Sequence, residues 1–264
     1  MQEAAFFDLD KTIIAKSAVL AFGRPLYREG LLSRRTILRG MYSQVVFMLV
    51  GADEDRMERL RESMLSLIKG WNRDHVASIV RETLDEIITP IVFQEALDLF
   101  TLHQQEGRPV VIVSSSPEEV VGPLAEYLGA DDFIATRSEI DAEGCYTGEL
   151  DFYAYGPHKA DAIREYASAR GIDLEASYSY SDSITDVPML EVVGHPVVVN
   201  ADRELAKYAN ERGWEQLSFS RPVRLRDRVP VPSGQSAIAL GALAAAGTGA
   251  AVWWWLRRRA LAQL

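Results

Sequence analysis

The sequence predicts an α/β fold: a doubly wound parallel sheet, an all-helical insertion after the first strand, and a carboxyl-terminal transmembrane helix. Three observations carry this. Short apolar runs bounded by polar turns alternate with helical patterns over residues 89–220, the order expected of right-handed parallel crossovers. Residues 15–88 show apolar side chains at three-and-four spacing with no strand pattern among them. Residues 236–256 carry no charge.

The first strand covers residues 4–7 (AAFF), an apolar run fit for burial on both faces. It ends in Asp8 and Asp10. Side chains two apart on a strand point to one side, and open parallel sheets bind ligands beyond the carboxyl ends of their strands. An aspartate at a strand end also makes Asx-turns, so the pair alone leaves both readings open. Helices follow in SAVLAFGRPLYREGLL, RRTILRGMYSQVVFMLV, EDRMERLRESMLSLIKGW and DHVASIVRETLDEII, with Ser33 and Asp53 as candidate caps and Pro90 closing the block. The helix VFQEALDLFTLHQQEG leads to the strand PVVIV, the turn SSSP and the helix EEVVGPLAEYLGA. Further strands are expected over residues 133–135, 177–181, 196–199 and 214–217, with a small hairpin over residues 137–152. Arginine and proline mark residues 221–235 as an extended basic linker.

Residues 236–256 then run for 21 residues without a charge, end in WWWL and precede RRR in the basic tail, residues 257–264. That length spans a bilayer core, with tryptophans at the interface and arginines beyond. A surface-lying or buried helix is the other reading. The first residues lack a signal-peptide pattern. The expected arrangement is a cytoplasmic catalytic part anchored to the membrane by one carboxyl-terminal helix.

Composition narrows the function. The 264 residues are 48% hydrophobic and 25% charged, ordinary for a globular chain. The net charge of -10 is uneven: seven arginines and Asp227 lie in residues 221–264, leaving 21 basic against 37 acidic residues, a net of -16, on residues 1–220. No basic face for nucleic acid is expected on that body. Cys145 is alone, so there is neither a disulfide framework nor a cysteine zinc site. His75, His103, His158 and His195 lack metal-ligand spacing and read as surface or loop residues.

Four segments at strand ends or on the following loop or helix carry chemistry: DLDKT from Asp8 to Thr12, VVIVSSSP with Ser114, GPHKADAI with Lys159, and SYSYSDSITDVPML with Asp182 and Asp186. Several carboxylates in one crevice raise one another's pKa unless a cation is present, and carboxylate, carbonyl and water oxygens suit Mg2+. A lysine and a serine hydroxyl grip phosphate oxygens, and a carboxylate can attack phosphorus. Phosphoryl transfer is the chemistry that these groups fit.

With these motifs the sequence resembles the haloacid dehalogenase superfamily, whose pattern is DxDx[TV], a strand ending in Ser or Thr, a lysine and a DxxxD-type acidic loop. All four stand in order within residues 4–220. The resemblance implies a Rossmann-like core of residues 1–14 and 89–220. It implies Asp8 as nucleophile, Asp10 as general acid and then base, and Ser114, Ser115 and Lys159 as phosphoryl ligands. Mg2+ would be held by Asp8, Asp182 and the Asp10 carbonyl, with Asp186 and Thr12 supporting from behind. The DKT triplet also resembles the phosphorylated loop of P-type ATPases, which would make Asp10 the nucleophile; Ile14 departs from that loop.

Residues 15–88 are similar to the cap of the phosphoserine phosphatase branch, subfamily IB. Ser17 stands where that branch has a glutamate for the substrate amine, and the arginine expected in the middle of the cap has no single counterpart in ERLRESMLSL. Phosphoserine is therefore not the expected substrate. Arg24, with Arg28, Arg34, Arg35 and Arg39, makes the early cap basic, which suits an acidic substrate or simply solvates helices. Ser17 and Arg24 are the candidate specificity positions. The expected function is a membrane-tethered, Mg2+-dependent phosphomonoester hydrolase acting on a lipid phosphate or a small phosphorylated metabolite. The alternative is a catalytically weak membrane-bound regulator that binds a phosphorylated ligand or partner; transfer to another acceptor, as in mutases, is a third reading.

Overall fold

The computed structural model of the protein describes residues 2–33 and 54–221. Strand β1 (Ala5–Phe7) is three residues long and wholly buried, because both of its faces carry apolar side chains. Ala5 and Phe7 enter one core with Val110 and Ile112 of β2 (Val110–Pro117), while Phe6 joins Ala4, Val111 and Val113 in the opposite core. The two-residue alternation of a strand thus turns one apolar run into two cores. Full burial of each phenylalanine contributes about 1.5–3 kcal/mol. Phe7 also stacks on Tyr180 at 4.1 Å and meets Phe100 edge-on at 4.8 Å.

Helices α1 (Ala18–Ala21), α2 (Gly23–Arg28), α3 (Glu54–Ile68) and α4 (Arg73–Ile88) lie between β1 and β2 in the chain. The first segment, expected as one helix, is two short ones parted at Phe22–Gly23. Pro25 has no N–H to bond back to Ala21, so a continuous helix would lose a rung there. Helix α4 begins at Asn72, whose side chain accepts the His75 N–H at 3.0 Å.

Two lines of main-chain hydrogen bonds fasten this insertion. Residues 13–15 pair with 91–93, the Ala15 N–H donating to the Ile91 carbonyl at 2.7 Å and the Phe93 N–H to the Ile13 carbonyl at 2.9 Å. The turn between α3 and α4 pairs with the hairpin of β3 (Asp132–Ile140) and β4 (Tyr146–Phe152). There Gly70 N–H donates to Tyr146 O at 2.8 Å, Tyr146 N–H to Trp71 O at 3.0 Å, and Arg73 N–H to Gly144 O at 3.0 Å.

The sheet has seven strands among the described residues, in the order β4-β3-β2-β1-β5-β6-β7, where β5 is Tyr178–Ser181, β6 His195–Val199 and β7 Glu215–Leu217. All pairs are parallel except β3 with β4. The strand expected over residues 133–135 is not separate from the hairpin; β3 runs through both. From β1 the chain builds β2 and β3 on one side and β5 to β7 on the other, so β1 and β5 flank the switch point where such sheets bind ligands. Helices α5 (Gln94–Gln105) and α6 (Glu118–Leu128) cover one face, and α7 (Pro157–Arg170), α8 (Val187–Glu191) and α9 (Arg203–Arg212) the other.

The chain divides into two units, residues 1–223 and 224–264. The helix expected over residues 236–256, the second expected helix of the insertion, Asp53 and most of the linker lie outside the described residues. Among the described residues no helix is long and apolar enough to cross a membrane. Arg221, expected in the linker, is held on the core instead: its guanidinium lies 3.1 Å from Glu95 and 3.3 Å from Asp98.

Candidate active site

Asp8 follows β1 and donates its N–H to the Tyr180 carbonyl at 2.9 Å, extending the β1–β5 ladder by one residue. Its carboxylate is fixed at the strand end as a result. The Lys159 ammonium sits 2.7 Å from Asp8 Oδ1 and 2.8 Å from Asp186 Oδ2, and the lysine is only 3% exposed. Gly156 shapes that approach. Its φ of 55° turns the chain into α7 three residues before the lysine, a conformation that favours glycine. Ser181, the last residue of β5, donates its hydroxyl to the same Asp186 oxygen at 2.7 Å.

Asp10 turns towards the start of α1, where its carboxylate accepts the Ala18 N–H at 2.8 Å and a hydrogen bond from the Ser17 side chain. Ser114 is buried at the irregular end of β2, and its Oγ accepts the Ser116 N–H at 3.2 Å. A hydroxyl that accepts there keeps its proton for a ligand oxygen. Asp182 lies one residue beyond β5, buried, with the Lys11 ammonium 3.8 Å from its Oδ2.

Negative charge exceeds positive in this pocket of side chains. Burial raises Asp8 well above the usual carboxylate range; Lys159 opposes that shift, and Asp186, Asp182 and Asp10 add to it. Asp182 is pushed up to about 7, by burial first, with Lys11 opposing and Asp186 and Asp202 adding. Asp10 is raised by burial against the Ala18 and Ser17 hydrogen bonds. For Lys159, burial favours the neutral amine, but Asp8 and Asp186 outweigh it and raise the pKa. Carboxylates held in this state accommodate a further cation readily. No group of three or more His, Cys, Asp or Glu side chains among the described residues forms a metal site alone. The donor set fits an ion held by the carboxylates of Asp8 and Asp182 and completed by main-chain, water and phosphate oxygens, the usual environment of Mg2+.

The remaining expected residues divide. Asp186 accepts a hydrogen bond from the Lys159 ammonium through its Oδ2. Ser115 is exposed, and its carbonyl accepts the Thr136 hydroxyl at 2.8 Å. Thr12 is fully buried and its Oγ1 has no hydrogen-bond partner among the described residues. Ser17 bonds to Asp10. Arg24 is exposed on α2. Among the histidines, His103 is buried, contrary to the surface or loop role expected, and bonds to Tyr180 at 2.8 Å. Sequence reasoning missed Ser181, Thr136 and the approach of Lys11. For Ser181 a signal exists: the alternation SYSYS puts three serines on one face of a central strand, and all three are fully buried. A separate cleft of about 570 Å³, lined by Arg73, Arg81, Glu118, Glu119 and Phe133 among others, contains none of the site residues.

The family model for haloacid dehalogenase-like hydrolases matches residues 5–191 of this chain. The chain belongs to that family. It is 55% identical over 260 residues to a Mycobacterium tuberculosis protein named as a probable phosphatase, covering 97% of this chain and 89% of that one. It is 35% identical over 241 residues to phosphoserine phosphatase SerB1 of the same organism, covering 90% and 77%. A crystal structure of a protein of unknown function from Bordetella pertussis superposes with a TM-score of 0.72 at 26% identity, covering 82% of this chain and 98% of that one. This haloacid dehalogenase-like chain is a phosphatase, on which the motifs and the named relatives agree.

Proposed function

We propose that the chain hydrolyses phosphomonoesters with Mg2+ through an aspartyl phosphate on Asp8. The observation that carries this reading is the buried Asp8–Lys159–Asp186 array at the sheet's switch point, with Asp182 beside it. Asp8 attacks phosphorus, the bond to the leaving oxygen breaks, and Asp10 gives that oxygen its proton. Asp10 then takes a proton from water as the water oxygen attacks phosphorus, which releases inorganic phosphate and restores both aspartates. A raised Asp10 pKa supports the acid role, since a carboxyl must hold a proton to donate one. Lys159 holds one Asp8 oxygen and balances charge, and Ser114 donates to a phosphoryl oxygen. When bound by Asp8, Asp182 and the Asp10 carbonyl, Mg2+ supplies charge neutralisation for the phosphoryl group.

The insertion would act as a cap that excludes water and chooses the leaving group. The proposal extends to the tail: residues 236–256 would hold a cytoplasmic catalytic part at the membrane, with a lipid phosphate or a small phosphorylated metabolite as substrate. The uncharged length of that stretch supports the anchor.

The test is phosphate release by the full chain with Mg2+ over phosphoserine, sugar phosphates and lipid phosphates, beside Asp8→Asn. Turnover that needs the metal and falls about 10^4-fold or more in the variant is expected. Absence of turnover on every ester, with a retained cellular effect of Asp8→Asn, would replace the hydrolase by a binding protein.

A further inference from the structure

Ser114 and Lys159 come from distant parts of the chain, and one hydroxyl touches the supports of both. Between Ser114 and Pro117 the β2–β3 register slips: Ser114 faces Ala135, but Pro117 faces Thr136. Ser115 and Ser116 are therefore surplus to the ladder, a bulge of the kind that re-aims side chains. Thr136 lies opposite this bulge and is buried, at 5% exposure. Its hydroxyl donates to the Ser115 carbonyl at 2.8 Å and accepts the Ala154 N–H at 3.2 Å. A threonine has one proton to give and lone pairs to receive, and both capacities are used here.

The consequence follows from peptide geometry. The Ser115 carbonyl and the Ser116 N–H belong to one planar trans unit and point in opposite directions. Gripping the carbonyl fixes the N–H, and that N–H is the donor to Ser114 Oγ at 3.2 Å. On its accepting side, Thr136 holds Ala154, two residues before the glycine that turns the chain towards Lys159. We propose that Thr136 is a positioning residue that sets two phosphate ligands together, Ser114 through the Ser115–Ser116 peptide and Lys159 through Ala154. The proposal rests on the reading of Ser114 and Lys159 as phosphate ligands.

The experiment compares the full chain with Thr136→Val, which keeps the branched shape and removes the hydroxyl, and Thr136→Ser, which keeps the hydroxyl. Calorimetric titration with inorganic phosphate in Mg2+ gives affinity without turnover, and steady-state phosphate release gives kcat and KM. Thr136→Val should weaken phosphate binding about tenfold and lower kcat/KM by about ten- to a hundredfold, since misplacing a ligand slightly is costly. Thr136→Ser should stay within about threefold of the parent on both readouts. If Thr136→Val lowers the melting temperature but binds phosphate and turns over as the parent does, the residue is only structural and the proposal fails. If Thr136→Ser loses as much as Thr136→Val, the methyl group matters rather than the hydroxyl, and it fails again. A parent chain that binds phosphate in a Thr136-dependent way yet hydrolyses no ester keeps the positioning and sinks the hydrolase; one that does neither overturns both.

Discussion

Two buried polar clusters of the molecule differ in how completely their charges are paired. At the carboxyl ends of β1 and β5, Asp8 and Asp186 hold a buried ammonium, Lys159, between them, and the buried Asp182 carboxylate adds to the negative charge on Asp8. On the α5 side, His103 accepts the Arg108 Nε–H on Nδ1 at 2.8 Å, which leaves its Nε2 as the donor to Tyr180 Oη at 2.8 Å. Arg108 also pairs with Glu3 at 3.2 Å and with Glu106, and covers the Tyr178 ring at 4.8 Å. Burial pushes the His103 pKa down to about 4, helped by Arg108, much as burial pushes Asp182 up to about 7. Both groups are driven towards neutrality, but only in the first cluster are the surplus carboxylates buried, since the Glu3 and Glu106 side chains beside Arg108 reach solvent. Burial alone does not mark a reaction site; unbalanced burial does.

Removing Lys159 is the strongest way to test that contrast. Lys159→Met leaves Asp8 and Asp186 buried without a cation, and breaking a buried ion pair on one side costs about 3–5 kcal/mol. Carboxylates with folded pKa values raised above the unfolded ones favour the folded state when protonated, so the variant should regain stability as the pH falls from 8 to 5. Urea unfolding at the two pH values reads this; equal loss at both would mean that packing, not charge, is what Lys159 supplies.

The second cluster should respond to pH in its own way. The folded pKa of His103 lies below its ordinary value of 6.5, so the folded chain binds fewer protons than the unfolded one between pH 6.5 and 4 and loses stability as the pH falls through that window. The full shift corresponds to about 3 kcal/mol. His103→Gln should lack this portion of the acid dependence while keeping kcat at pH 7.5 within about threefold of the parent. A collapse of turnover in that variant would tie the cluster to the chemistry and erase the distinction.

Lys11 gives the smallest effect. Its side chain is 71% exposed and 3.8 Å from Asp182, so Lys11→Ala should change stability by less than about 0.5 kcal/mol and raise KM by a few-fold. A tenfold or greater loss in kcat would show that Lys11 joins the paired set rather than fringing it.

The strand plan was readable because β1, β2 and β6 contain apolar runs that give way to polar residues, and the four motif segments fall at the ends of β1, β2 and β5 or on α7, the helix after the hairpin. Asp8, Asp10, Ser114, Lys159, Asp182 and Asp186 stood out as candidates from residue type and position. Pairing was not legible. Nothing local in LHQQ announces that His103 meets Tyr180, 77 residues away, or that Thr136 reaches Ser115 across a register slip. Periodicity reports which face a side chain takes, and distant partners are set only by packing. The break between α1 and α2 was readable in principle, since Pro25 stands inside the pattern.

The helical insertion is fastened along two separate lines, the pairing of residues 13–15 with 91–93 and the three bonds from the α3–α4 turn to the hairpin. A body held along two lines cannot swing about one without breaking the other. At about 0.5–1.5 kcal/mol net for each bond, releasing the hairpin line alone costs about 1.5–4.5 kcal/mol, an open fraction between about one molecule in ten and one in two thousand. A substrate that needed such opening would bind more weakly by the same factor, so in this chain the seam at the hairpin sets a ceiling on how much of its affinity a bulky leaving group can realise.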